Sequence, residues 1–132
     1  RRLLPDPLRR RPRRRSGLEG RAARGRRHGQ RRPRVGPCIS QASYEVGADY
    51  QDRFEHHDPG SSRFFAPGAA SDKRQFDLPG FVLWRLEQAG VADAAWTGDD
   101  TRKDAARFYS NRRAYLSGEP DFGRLMSAIS LG

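Results

Sequence analysis

The positive charge of this chain is concentrated at one end, and that decides where a fold can be sought. Residues 1–34 hold 15 arginines, no lysine, and only Asp6 and Glu19 as acids, a net charge of +13. Residues 35–132 hold 11 basic and 14 acidic groups, a net charge of −3. Arginine runs such as Arg9-Arg10-Arg11 and Arg13-Arg14-Arg15 repel themselves. Pro5, Pro7, Pro12 and Pro33 break helices, and Gly17, Gly20, Gly25 and Gly29 loosen what lies between. Leu3, Leu4, Leu8 and Leu18 follow neither a helical nor a strand period. So little apolar surface cannot offset chain entropy, and residues 1–34 are expected to be a disordered basic tail. One function of such a tail is non-specific nucleic-acid binding through phosphate contacts, which weakens steeply with salt. The tail has no aromatic residue to stack on bases, so that binding would be blind to sequence.

Residues 35–132 are ordinary in composition and long enough for one small α/β unit. No apolar run reaches the roughly 18 residues a membrane span needs, so no membrane association is expected. No charged start followed by an apolar stretch signals secretion, and the single cysteine closes no internal disulfide. A reducing, cytoplasmic setting is the expectation. Phosphate-binding glycine loops, the two-histidine zinc helix, the nucleophile-elbow serine and paired Cys-x-x-Cys motifs are all missing.

Val35-Gly36-Pro37-Cys38-Ile39 reads as a strand end and turn. Ser43 is a candidate cap for a helix opening at Tyr44-Glu45-Val46 and running to about His57, with Val46, Tyr50 and Phe54 on one face. Asp58-Pro59-Gly60 stops it. Residues 58–75 read as a loop anchored by Phe64-Phe65. A second helix starts at Phe76-Asp77-Leu78-Pro79, with Val82, Leu83, Leu86 and Ala89 as its apolar face and Gly90 after its end. Val91–Trp96 reads as a short strand, Thr97–Ala106 as turn with one helical turn, Gly118-Glu119-Pro120 as a turn, and Leu125–Leu131 as a final strand.

Several strings then occur in one order: Gly36-Pro37-Cys38-Ile39, Tyr44-Glu45-Val46-Gly47, Phe76-Asp77-Leu78, Ala89-Gly90-Val91, Ala106-Arg107-Phe108-Tyr109-Ser110, Arg112-Arg113, Gly118-Glu119-Pro120-Asp121-Phe122-Gly123-Arg124 and Ser127-Ala128-Ile129. In this order they resemble the C-terminal part of the laccase-domain (YfiH-like) family, whose members are named polyphenol oxidases and peptidoglycan editing factors. The resemblance covers about residues 35–131. It implies the C-terminal portion of a layered α/β sandwich about twice this length. It also implies purine nucleoside phosphorylase activity with adenosine deaminase activity, a purine nucleoside and phosphate as small-molecule partners, and zinc or copper in intact members. The family's centre is a cysteine in Ala-Asp-Cys-x-Pro and two histidines, one in His-x-Gly-Trp-[Arg/Lys]-Gly. All three lie upstream of the Gly-Pro-Cys-Ile string, and none maps onto residues 35–132. The chain therefore reads as a truncated, inactive member that holds no metal, with exposed core surface that favours self-association.

Arginine without lysine is also what GC-rich coding DNA gives when read out of frame. With suitable codons, a two-nucleotide shift turns residues 2–8 into an Ala-Asp-Cys-x-Pro string and residues 17–21 into Gly-Trp-Lys-Gly-Ala. Against this, the codon overlapping Arg15 cannot encode histidine. A genuine tail and a frameshifted stretch both stay open, and the nucleotide sequence decides between them.

Tyr109, Arg112 and Arg113 are the candidate substrate-binding residues, because arginine forks suit phosphate. The alternative is ion pairing with Asp99, Asp100, Asp104 or Glu119. Asn111, Leu116 and Leu125 stand where many family members have Tyr, His and Gln. By resemblance Cys38, Tyr44 and Glu45 lie near the site. Cys38 by itself reads as a small buried group more than as a nucleophile or ligand, and Glu45 reads equally as a helix-dipole partner in a first turn. His56 and His57 are adjacent on a helix, about 100° apart, and cannot chelate one ion well. Trp84 and Trp96 read as packing residues.

Overall fold

The computed structural model describes residues 32–128, so the expectations for residues 1–31 and 129–131 lie outside the described residues. The described chain is α/β, as expected. It runs β1 (Arg34–Val35), a 3-10 turn (Gln41–Ser43), β2 (Glu45–Gly47), α1 (Ala48–His57) and a 3-10 helix (Pro59–Phe64). It continues with β3 (Phe65–Pro67), β4 (Lys73–Phe76), α2 (Leu78–Gln88), β5 (Ala95–Trp96) and α3 (Asn111–Ser117). Strands β2, β4 and β3 form an antiparallel sheet with β4 central, Val46 opposite Arg74 and Phe65 opposite Phe76. Strands β1 and β5 pair in parallel, Val35 opposite Trp96, and a bridge from Cys38 to Asp100 extends that pairing.

The first helix does not begin at Tyr44. Residues 45–47 are strand β2, and α1 opens at Ala48 with Gly47 as its N-cap. β-Branched Val46 is buried and paired to β4, and the Ser43 hydroxyl donates to Asp100 instead of capping a helix. The face carrying Tyr50 and Phe54 survives in α1, and the helix ends at His57.

The expected loop over residues 58–75 contains a 3-10 helix and the β3–β4 hairpin. Neither strand alternates polar and apolar residues, so the pattern gave no signal. The hairpin is closed by the Gly68 N–H on Lys73 O (2.9 Å) and the Lys73 N–H on Ala70 O (3.0 Å). Gly68 is required there, because a Cβ would lie 2.6 Å from the Lys73 backbone. Phe64 and Phe65 do anchor this stretch, Phe64 on Phe81 and Trp84, Phe65 on Phe76.

Helix α2 begins at Leu78, two residues after the expected start, because Phe76 pairs in β4 and Asp77 is the N-cap, and Ala89, expected on its apolar face, is exposed just past its end. The Asp77 carboxylate accepts from the Gly80 N–H (3.0 Å), Pro79 sits in the first turn, and Gly90 takes a left-handed φ of 84° after the end. The next strand is shorter than Val91–Trp96. Val91 N–H caps α2 at Leu86 O (2.9 Å) and Asp93 turns with φ 59°, which leaves only Ala95–Trp96 to pair. Thr97–Ala106 forms turns without a helix. The expected strand from Leu125 is not formed over residues 125–128. Alternation alone cannot make a strand without a neighbour, and Leu125 and Met126 are exposed (48% and 92%).

The core centres on Phe76, which is fully buried. Its ring meets those of Tyr44, Tyr50, Phe54, Phe65 and Phe81, with centroids 4.6 to 5.8 Å away. Among the described apolar residues only Val46, Pro79 and Ala114 are buried as well. The packing is therefore one aromatic cluster with a thin surround.

Candidate functional site

An open cleft of about 620 Å³ lies between the Cys38 loop, the Asp99–Thr101 turn, α3 and the segment after it. Cys38, Tyr44, Tyr109, Arg112, Phe122 and Arg124 are among the residues lining it. It thus gathers four of the six residues singled out from sequence: Cys38, Tyr44, Tyr109 and Arg112.

Asp100 holds one wall in place. Its carboxylate accepts hydrogen bonds from the hydroxyls of Ser40 (2.5 Å) and Ser43 (2.6 Å) and from the backbone N–H of Arg102 (2.9 Å). Burial alone would raise its pKa, but hydrogen bonds from Ser40, Ser43, Arg102 and Lys103 outweigh that and bring it down to about 2. The backbone ties the same two loops together, through Cys38 N–H on Asp99 O and Thr101 N–H on Cys38 O, both 3.2 Å.

The other wall depends on α3, a helix the sequence reading missed. The signal was present: Ser110 caps it, accepting from the Arg113 N–H (3.3 Å), and Gly118 ends it with φ 70°. Arg112 and Arg113 leave this helix about 100° apart and do different work. Arg112 lies over the Tyr44 ring, 5.2 Å from its centroid. Arg113 is not among the residues lining the cleft. It donates to the carbonyls of Thr101 (2.9 Å), Arg102 (3.1 Å) and Phe108 (2.6 Å), pinning the 101–108 segment to α3. Among the described residues neither arginine forms an ion pair. Asp99 and Asp104 are taken by Arg107, which sequence reasoning had not selected.

Tyr109 is 59% exposed, and Gly123 lies against its ring. A Cβ at position 123 would run into the Tyr109 ring, so any side chain there requires that ring to move. Arg124 stacks on Phe122, 4.7 Å from its centroid. Glu45 stands apart from the cleft. It lies in β2 and accepts from the Ala69 N–H (3.3 Å), so it ties the sheet to the hairpin turn and does not serve a helix dipole.

Cys38 does not present a thiolate. Burial, followed by the nearby carboxylates of Asp100 and Asp77, pushes its pKa up to about 11. Its alkylation by iodoacetamide is expected to accelerate about ten-fold per pH unit up to roughly pH 10–11, where an ordinary thiol levels off near 8.5. A rate plateau below pH 9, followed by mass spectrometry, would contradict this placement. Zinc or copper does not fit the described residues. No group of three or more His, Cys, Asp or Glu is placed to hold an ion among them, and no histidine lines the cleft beside Cys38. No helix among the described residues is long and apolar enough to cross a membrane.

Comparison with known proteins agrees with this fold. The family described as multi-copper polyphenol oxidoreductase laccase matches residues 20–132, beginning inside the arginine-rich segment. A purine nucleoside phosphorylase of Rickettsia conorii is 37% identical over 95 residues, covering 72% of this chain and 40% of that protein. One from Rickettsia prowazekii is 36% identical over the same length, and one from Pseudomonas aeruginosa is 32% identical over 84 residues. The chain spans about two fifths of the length of these relatives. A solved Neisseria meningitidis protein of the DUF152 family superposes with a TM-score of 0.55 at 31% identity, over 61% of this chain and 33% of that one. On these matches and this fold, the chain belongs to the multi-copper polyphenol oxidoreductase laccase family.

Proposed function

We propose that residues 35–132 contribute the purine- and phosphate-binding wall of a nucleoside phosphorylase site. The observation that carries this is Arg112 held over Tyr44 in a cleft also lined by Tyr109, Phe122 and Arg124. Phosphorolysis breaks the bond from ribose to purine and joins the anomeric carbon to a phosphate oxygen. A site for it has to hold a flat aromatic base and a phosphate dianion side by side. Aromatic faces next to a guanidinium without a carboxylate partner meet both needs. In this assignment Tyr109 and Tyr44 face the base, Arg112 takes the phosphate, and Arg113 positions the wall that carries them. The names of the relatives support the substrate pair.

The proposal includes inactivity of this chain by itself. The Cys/His centre that the family resemblance implies is not among residues 35–132, and no step through a metal is assigned here. Adenosine deamination, action on peptidoglycan fragments and a cytoplasmic location accompany the family reading and rest on it alone.

Titration with adenosine and inorganic phosphate, followed by NMR, tests the binding wall. Shifts are expected at residues 109–112, and Arg112→Gln is expected to weaken phosphate binding about ten-fold. Equal affinity in that variant would remove Arg112 from the site. Release of free purine by the purified chain would overturn the inactivity.

A further inference from the structure

A second cavity, of about 480 Å³, opens between α1, the Pro59–Phe64 helix and α2, and it shares no lining residue with the cleft. Its walls include Arg53, Phe54, His57, Ser61, Phe81 and Arg85. Three observations converge on it.

Ser61 is fully buried, yet its hydroxyl has no hydrogen-bond partner. A buried hydroxyl left unpaired is costly, so a group that pairs with it is favoured. Next, the cationic side chains outnumber the acidic ones. Asp58 is the one carboxylate among the described lining residues, and it is already engaged by the Gly60 N–H (2.9 Å) and by Arg85 at 3.9 Å, while Arg85 also donates to Gln88 on the exposed side of α2 (2.9 Å). Arg53 reaches only Asp49, at 3.3 Å, and both side chains are largely exposed, so this pair holds the guanidinium weakly. Finally, Phe54 and Phe81 supply an apolar part, edge to face with centroids 5.1 Å apart.

We propose that this cavity is a binding site for a small aromatic carboxylate. The ring lies against Phe54 and Phe81. The carboxylate is held by Arg53 and Arg85, and rotation of the buried Ser61 side chain about its Cα–Cβ bond lets its hydroxyl donate to one carboxylate oxygen. His57 gives the histidine pair at the end of α1 a place in this site that metal chelation does not offer.

The test is a titration of the chain with benzoate, read by the amide NMR shifts of Gly60 and Ser61. Benzamide and inorganic phosphate serve as comparisons. Saturable binding of benzoate is expected in the millimolar range, at least about ten-fold tighter than either comparison. Arg85→Gln and Arg53→Gln are each expected to weaken it several-fold. Ser61→Ala is expected to weaken benzoate binding while leaving the melting temperature of the free chain unchanged or higher, because the hydroxyl has no partner to lose. Three results would overturn the proposal: no saturation by about 20 mM benzoate, equal binding of benzamide or phosphate, or benzoate affinity unchanged in Ser61→Ala and Arg85→Gln. Because the cleft residues are untouched, failure here is separable from failure of the phosphorylase reading.

Discussion

Phe76→Ala is expected to leave the chain largely unfolded at neutral pH and 25 °C. Phe76 is the one large apolar side chain among the described residues with no exposure, and five aromatic rings pack around it. Truncating such a residue typically costs about 3–5 kcal/mol, as transfer energy plus the cavity left behind. Small domains have only about 5 kcal/mol or so to lose. Here the reserve is lower still, because among the described residues only Val46, Pro79 and Ala114 join Phe76 in the buried apolar set. The cluster also links α1, α2 and both β3 and β4, so its loss is not confined to one element. Near-UV circular dichroism and urea unfolding measure this directly. Tyr115→Ala is the control: the side chain is 75% exposed, and its loss should change stability by less than about 0.5 kcal/mol. A cooperative Phe76→Ala transition within about 1 kcal/mol of the parent would show that the aromatic cluster is not the core.

Asp100→Asn is expected to cost about 1–2 kcal/mol at neutral pH and to remove part of the acid sensitivity of the fold. The folded carboxyl titrates at about 2, below its ordinary 3.8, because hydrogen bonds from Ser40, Ser43, Arg102 and Lys103 outweigh burial. A lowered pKa means that the unfolded chain takes up the proton first. The stabilisation is therefore complete above pH 3.8 and is lost as the pH falls from there towards 2. Solvent screening at this half-buried group keeps the effect at the stated size. Urea unfolding at pH 7 and pH 3 separates the cases: the parent should lose more stability between the two than Asp100→Asn does. Equal losses would show that Asp100 is not the group that titrates. The same variant should loosen the cleft wall at Cys38 and Thr101, which the Asp100 turn joins.

The features governed by local rules and by order along the chain were legible in the residues alone. The Asp77-Leu78-Pro79 string and the glycine at position 90 marked α2 to within two residues, because the cap from Asp77 to Gly80 and the turn at Gly90 each act within one turn. The aromatic spacing of Tyr50 and Phe54 marked the inner face of α1, and Asp58 marked its end. The ordered strings placed the chain in its family, and four of the residues they pointed to share one cleft.

The remaining features depend on contacts between residues far apart in the chain. Whether Tyr44-Glu45-Val46 is helix or strand depends on β4 arriving from residues 73–76, a pairing no local window contains. The hairpin in residues 58–75 forms without alternation because its register is set by the turn at Gly68 and by Phe65 stacking on Phe76. Asp100 reads as one acid among several until Ser40 and Ser43, about sixty positions away, aim their hydroxyls at it. Adjacent Arg112 and Arg113 are chemically identical in the sequence. The 100° step of a helix sends one to an aromatic ring facing the cleft and the other to three backbone carbonyls, and only the packed chain shows which.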